Sequence, residues 1–365
     1  MVAMELELPS GDKYEYGDHI AVLRFCAARN VLSTSALNGG LRRDLSAAFN
    51  RSDTPRPSVT SEMLGKDMES HLRAAARLAG LDDTRVTGLS TGANTDNSAV
   101  CTLTNADFSV TSIATAGIEI NGSRAGMPAT LTETDRTPVP LGGTINVILD
   151  IDADLSDGAL TRALITATEA KSAALQELLA ECRYTGSLAT GSGTDGLIVA
   201  ANPASKTKLT QSGGHFLLGE YIAHAVSESV GEALRRQTGL DASAQRNVFR
   251  RLGRFGVTED AVLDAYRAAN GSEPDAEFRR ALRDLALDGS NVVLASLCAH
   301  LLDQLSWGLI LPGEALLWGA GLLDLLRGHS GIETRGMTVS GELRRDAAVR
   351  ALTDSFISCL LELLQ

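Results

Sequence analysis

Thr144–Ile151 (TINVILDI) is rich in Ile, Val and Leu, and it is the clearest candidate in the chain for a buried strand. The segments after it narrow the fold further. Over Ser156–Leu179, the residues Leu160, Leu164, Ala167, Ala170, Ala174 and Leu178 recur at helical intervals, and Ser156 stands where an N-cap belongs. Leu188–Ala201 is a glycine-rich turn running into a second strand, and Phe216–Arg236 has the spacing of a second long helix. Strands interleaved with long helices imply a mixed α+β architecture, with helices covering a sheet.

The preceding residues are shorter in period. Residues 5–36 alternate brief apolar runs with turn residues, as in a small antiparallel sheet, and Val31–Ser35 runs as a strand into the turn Asn38-Gly39-Gly40. Arg51–Pro57 is polar and proline-containing and is expected as a loop. Ser61–Leu81 has helical spacing through Leu64, Met68, Leu72, Ala75 and Leu78. Arg85–Ser90, Ala99–Leu103 and Phe108–Thr115 are rich in β-branched residues and separated by Asn/Asp turns, so strands are expected there. Beyond Gly239 only helical spacing remains, with breaks near 253–256, 271–274 and 328–330. The predicted organisation is an α+β domain over 1–238 and an all-α extension over 239–365.

Charge and cysteine usage exclude several classes. A net charge of −12 argues against a nucleic-acid binder and against anionic membranes. Val292–Leu326 is the most apolar region, but His300, Asp303, Glu314 and Asp324 interrupt it, so buried helices or a subunit interface are expected rather than a membrane span. The five cysteines are widely spaced with no CxxC pair, which suggests reduced thiols and neither zinc nor a disulfide framework. The acidic N-terminal stretch lacks the positive charge of a secretory signal, and a cytoplasmic protein is expected.

The densest chemistry lies between Ser187 and Glu220. Thr190-Gly191-Ser192-Gly193-Thr194-Asp195 is a flexible turn of hydroxyls and a carboxylate, and Gly213-Gly214 delivers His215 to the start of a helix. A carboxylate such as Asp195 can orient an imidazole, which then activates water or a hydroxyl, and a helix N-terminus disfavours the imidazolium. Glu220 follows His215 by more than one helical turn. Asn121 and Arg124, in a loop after a strand, are suited to amides, carboxylates or phosphates. The Gly142-Gly143-Thr144 turn, next to Asn146, can present backbone N–H groups as an anion nest. Glu169 and Lys171 place charges among the alanines of the long helix, facing either a cleft or water. Metal-binding HExxH, the Walker lysine and a GxSxG elbow are all missing from the sequence.

Five blocks in fixed order carry a family resemblance. They are TAGIEINGSRAG (Thr115–Gly126), GGTINVILDID (Gly142–Asp152), LSDGALTRALITATEAKSAALQEL (Leu155–Leu178), ATGSGTDGLIVA (Ala189–Ala200) and GGHFLLGEYIAHAV (Gly213–Val226). Together they resemble the adenosylcobinamide amidohydrolases of corrinoid salvage, over roughly residues 30–238. Two departures stand out: Ser192 where a second threonine is commoner, and Phe216 where a hydroxyl is expected.

The resemblance implies cleavage of the amide that joins the aminopropanol arm to the corrin ring of adenosylcobinamide. The expected products are adenosylcobyric acid and 1-amino-2-propanol. It implies a small-molecule corrinoid substrate that brings its own cobalt, and no protein-bound cofactor or metal is required. For such a reaction His215, oriented by Asp195 or Glu220, is the expected base for water or Thr194. The backbone at Gly142, Gly143 and Thr144, with Asn121 or Asn146, is the expected oxyanion site. Arg124, Glu169, Lys171, Thr190, Gly191 and Gly193 are expected to line the substrate. Competing readings are a non-catalytic corrinoid sensor, a hydrolase or acyltransferase with an internally activated Thr or Ser, and a nucleotide-binding enzyme. Homodimerisation through the helical extension is also expected.

Overall fold

A computed structural model describes residues 4–17, 19–53, 63–129, 143–328 and 344–364. The chain divides into two compact units, Met1–Asp241 and Ala242–Gln365.

The first unit contains β1 (Met4–Glu7), β2 (Lys13–Gly17), β3 (Ile20–Arg24), β4 (Asn30–Ser33), β5 (Gly40–Arg42) and β6 (Ala47–Ser52). Then come α1 (Met68–Leu78), β7 (Val86–Thr91), β8 (Ala99–Thr104), β9 (Ser109–Ala116), β10 (Ile145–Ile151) and β11 (Asp154–Leu155). It finishes with α2 (Asp157–Glu177), β12 (Gly196–Ala201), β13 (Lys208–Leu209) and α3 (Leu217–Thr238). The strands make a five-stranded sheet in the order β1-β2-β3-β6-β7 and a six-stranded sheet in the order β5-β4-β12-β10-β9-β8, and β11 pairs with β13.

The two sheets pack face to face. Leu23, Ala48 and Leu89 of the first meet Ile113, Ile148 and Ile198 of the second. The outer face of the first sheet is covered by α1 through Leu72, Ala75 and Ala76, which pack on Phe49 and Val86. The outer face of the second is covered by α2 and α3. β10 shows why it has to lie in the middle: all seven residues are buried. Its side chains alternate, so Ile145, Val147, Leu149 and Ile151 face the helices while Ile148 faces the other sheet. The same alternation puts Asn146 and Asp150 between the sheets.

Several local expectations change. Within residues 5–36, β1 to β3 form an antiparallel meander, but the strand at Val31 belongs to the second sheet, where β4 pairs with β12. Arg51 and Ser52 end β6 rather than lying in a loop, because β6 is held by β3 on one side and runs parallel to β7 on the other. Residues 54–57 of that expected loop lie outside the described residues. The helix in 61–81 begins only at Met68, where Asp67 and Ser70 exchange reciprocal capping hydrogen bonds.

The second unit is helical: α4 (Val248–Leu252), α5 (Glu259–Asn270), α6 (Ala276–Leu287), α7 (Gly289–Trp307), α8 (Pro312–Leu326) and α9 (Arg345–Glu362). Its core gathers Leu252, Val262, Leu282, Ala295, Leu302 and Phe356. Arg246, Arg250 and Arg254 do not share one helix face, since α4 stops at Leu252 and Arg254 sits in a following 3-10 turn. The Arg254 guanidinium donates to both carboxylate oxygens of Asp303, each at 2.6 Å. Among the described residues no single helix is long and apolar enough to cross a membrane. Cys26, Cys101, Cys182, Cys298 and Cys359 are all free thiols; Cys26 is exposed.

Candidate functional site

Strand direction assembles the site. β10 and β12 run parallel while β9 runs antiparallel beside β10, so the C-terminal end of β9 meets the N-terminal ends of the other two. Into that end project Asn121 from the loop after β9, Thr144 just ahead of β10, and Ser192, Thr194 and Asp195 from the turn entering β12. Lys171 reaches the same point from the later turns of α2.

The centre is a buried ion pair. Lys171 is only 4 % exposed, and its Nζ meets Asp195 Oδ2. The other carboxylate oxygen, Oδ1, accepts from Ser192 Oγ at 2.6 Å and from the backbone N–H groups of Ser192 and Ile145 at 3.1 Å each. A buried ion pair is tolerable only when its remaining lone pairs are satisfied, and these are. Gly191 makes room for it: a Cβ there would stand 2.7 Å from Lys171 Nζ and closer still to Asp195 Oδ2. Gly193 adopts φ +79°, which lets the turn close.

Thr194 is exposed, and its hydroxyl has three polar neighbours. Thr144 Oγ1 lies at 2.8 Å, Asn121 Nδ2 donates at 3.2 Å, and Ser192 Oγ lies at 3.3 Å. Asn121, 3 % exposed, is held by the Tyr184 hydroxyl on its Oδ1 at 3.1 Å and also donates to the Gly143 carbonyl. A solvent-facing hydroxyl next to a buried donor, with a buried carboxylate one hydroxyl away, is equipped for attack on an acyl carbon.

The other expected residues fall into three groups. Thr190, Arg124, Gly143 and Asn146 shape the site rather than face into it. Thr190 Oγ1 accepts from Ala125 N–H at 2.9 Å, and Arg124 donates to the Leu188 carbonyl at 3.1 Å. Gly143, at φ +84°, packs against the Gly117 carbonyl too closely for a Cβ. Asn146 is spent between the sheets, donating to Asn50 Oδ1 and the Ser90 carbonyl and accepting from Gly196 N–H. Gly142 lies outside the described residues.

Glu169 is turned away from Lys171 on α2, 3.6 Å from Arg162, in an open depression of about 450 Å³ lined by Leu164, Ile165, Thr168 and Ser172. Ser172 also donates to the Thr190 carbonyl at 3.0 Å, so this depression borders the turn that carries Thr194.

His215 and Glu220 are not brought to Asp195. Both are exposed at the start of α3, where Tyr221 stacks on Phe108, next to the first residue of β9. Asp195 binds Ile145 N–H, and Ile145 pairs with Ala116, the last residue of β9. The length of β9, roughly 25 Å at about 3.3 Å per residue, therefore lies between them. The Gly-Gly before His215 has another use: Gly213 O packs under Gly219 where α3 begins, and the Ser212 carbonyl accepts from Thr166.

Ser192, seen in the sequence as part of the turn but not expected among the site residues, lies between Thr194 and Asp195. Its signal was local: a Ser and Thr two apart ahead of an Asp can bond to one another within a tight turn. Among the described residues no three His, Cys, Asp or Glu side chains converge as a metal site would need.

Residues 5–242 match the family model for adenosylcobinamide amidohydrolase, CbiZ. An uncharacterized protein of Methanocaldococcus jannaschii is 42 % identical over 161 residues, 41 % of this chain. The chain spans 62 % of that relative's length. All the residues of the Thr194 site lie within the matched region. The match extends over more than half of the sequence, and the chain belongs to the adenosylcobinamide amidohydrolase family.

Proposed function

We propose that this protein hydrolyses the amide between the corrin ring and the aminopropanol arm of adenosylcobinamide, releasing adenosylcobyric acid and 1-amino-2-propanol for cobamide salvage. The observation that carries this reading is the exposed Thr194 hydroxyl above the buried Lys171–Asp195 pair, within the family-matched region. An unactivated amide needs a nucleophile, a donor for the oxyanion and a proton for the departing amine. Thr194 is the proposed nucleophile, and the Asn121 amide, which donates to its hydroxyl at 3.2 Å, is the proposed donor for the oxyanion. The depression along α2 is the proposed seat for the corrin edge, since its Leu164 and Ile165 floor suits a flat apolar ring and Thr168 and Ser172 suit its amide arms. The cobalt belongs to the substrate.

Purified protein incubated with adenosylcobinamide is expected to yield adenosylcobyric acid and aminopropanol, both read by mass spectrometry. Thr194→Ala is expected to lower kcat by about 10²-fold or more. Corrinoid binding without release of aminopropanol would instead support a sensor, and no binding would remove the substrate assignment. A cytoplasmic setting and a homodimer complete the proposal. Leu311, at the N-cap of α8, and Trp318 and Leu325 within it recur at seven-residue spacing and are all exposed, which is the surface offered for self-association. Light scattering on the full chain tests it, and a monomeric mass would rule it out.

A further inference from the structure

From the hydrogen-bond geometry around Thr194, and resting on the amide-hydrolase reading above, we infer that Ser192 is a relay residue that carries the nucleophile's proton to Asp195. Thr194 has two hydroxyl neighbours able to take its proton, and they differ in where the proton goes next. Thr144 Oγ1, at 2.8 Å, already donates to the Gly143 carbonyl at 2.7 Å. That route ends on a peptide oxygen, which has no capacity to keep a proton. Ser192 Oγ, at 3.3 Å, donates to Asp195 Oδ1 at 2.6 Å and accepts from the Thr194 N–H at 3.4 Å, which leaves one lone pair for the Thr194 hydroxyl. That route ends on a carboxylate. The longer first step is of the kind that tightens when substrate enters.

Ser192 itself is fully buried, with 0 % exposure, and touches no solvent. Its hydroxyl has no access to substrate, and its partners are the nucleophile on one side and the carboxylate on the other. Lys171, on the far oxygen of Asp195, holds the carboxylate in place and balances its charge.

Atoms and electrons balance at each stage. Thr194 Oγ1 bonds to the amide carbon and the carbonyl π pair moves onto oxygen. The Thr194 proton passes to Ser192 Oγ as the Ser192 proton passes to Asp195 Oδ1. Collapse of the adduct re-forms the C=O and breaks the C–N bond, and water at the exposed face of Thr194 protonates the departing nitrogen. The hydroxide left from that water adds to the Thr194 ester; when this second adduct collapses to the carboxylic acid, the Thr194 oxygen takes back a proton from Ser192 Oγ as Asp195 Oδ1 returns its proton to Ser192. The sum is amide plus water giving acid plus amine.

The test separates the relay from the substrate assignment by using two probes on the full-length protein. The first is p-nitrophenyl acetate, whose acetyl transfer to Thr194 releases p-nitrophenol and is located by peptide mass spectrometry. The second is adenosylcobinamide. Ser192→Ala is expected to slow Thr194 acetylation and kcat on the corrinoid by about 10²-fold while KM moves less than about threefold, because Ser192 makes no substrate contact. Ser192→Thr, which keeps the hydroxyl, is expected to restore most of both rates. Acetylation of Thr194 at the wild-type rate in Ser192→Ala would overturn the relay, as would a wild-type protein that is not acetylated at Thr194. Normal Thr194 acetylation with no corrinoid turnover would leave the relay standing and remove only the substrate reading.

Discussion

Asp150 sits on β10 between the sheets with 2 % of its surface exposed. Its Oδ2 accepts from Ser10, while Oδ1 meets no donor among the described residues. Burial first, then the negative charge of Asp12, pushes its carboxyl up to about 7. In the unfolded chain it titrates near the ordinary carboxylate value, so between about 4 and 7 the folded state holds a proton that the unfolded state lacks. Its contribution is therefore complete below about 4 and lost as pH rises through 7, at up to roughly 1.4 kcal/mol per pH unit. Asp150→Asn is expected to flatten that slope and to be more stable than wild type at pH 8. Urea midpoints at pH 5 and pH 8 check this, and parallel slopes in the two proteins would refute it. Gly191→Ala is expected to force Lys171 and Asp195 apart and to cost on the order of 3 kcal/mol with loss of turnover, read by thermal melting and the aminopropanol assay. The sequence displayed Thr194, Asp195 and Lys171 as chemistry-bearing residues, because hydroxyls among glycines and one lysine among alanines stand out. It hid the Lys171–Asp195 pairing, since nothing along the chain says which side of α2 faces the turn. It also made His215 look central, because a Gly-Gly-His at a helix start has the same signature whether it builds a site or a helix N-terminus. His215→Ala is expected to cost less than about threefold in kcat/KM, and a hundredfold loss would return it to the site.

At the scale of elements, what was legible followed periodicity. α2 and α3 have long helical repeats, β10 is apolar at five of its seven positions, and Ser156 caps α2 by accepting from Ala159 N–H at 3.2 Å. The first sheet was harder. β6 (AAFNRS) has neither alternation nor β-branched residues, and its place is fixed by neighbours β3 and β7 that lie far off in sequence. Likewise β4 joins the second sheet because β12 pairs with it, a long-range choice that no local window contains. α1 shows the reverse: its start is set locally, by the Asp67–Ser70 box. Asp67→Ala is expected to lower stability by about 1 kcal/mol, seen as a shift in the denaturant midpoint. Asn50 and Asn146 couple elements across the sandwich, since Asn146 joins Asn50 on β6 to Gly196, the residue after Asp195.

At the scale of the whole molecule, each compact unit has its own hydrophobic cluster, and the residues of the Thr194 site all lie in Met1–Asp241. A protein ending at Asp241 is expected to fold and to keep the Thr194 chemistry; circular dichroism and the acetylation assay check both halves of that statement. The change from mixed strands to helices near residue 239 was visible in composition alone, because the glycine-bounded apolar repeats after it have a single period. The sealed ion pair has a further consequence, for behaviour in salt. Lys171 and Asp195 have side-chain exposures of 5 % and 11 %, so dissolved ions screen them far less than they screen charges on the surface. The net charge of −12, by contrast, is spread where counter-ions gather. Raising ionic strength from roughly 0.05 to 0.5 M should therefore alter how the corrinoid approaches the protein while leaving saturated turnover level, so that brine tunes capture and spares the chemistry.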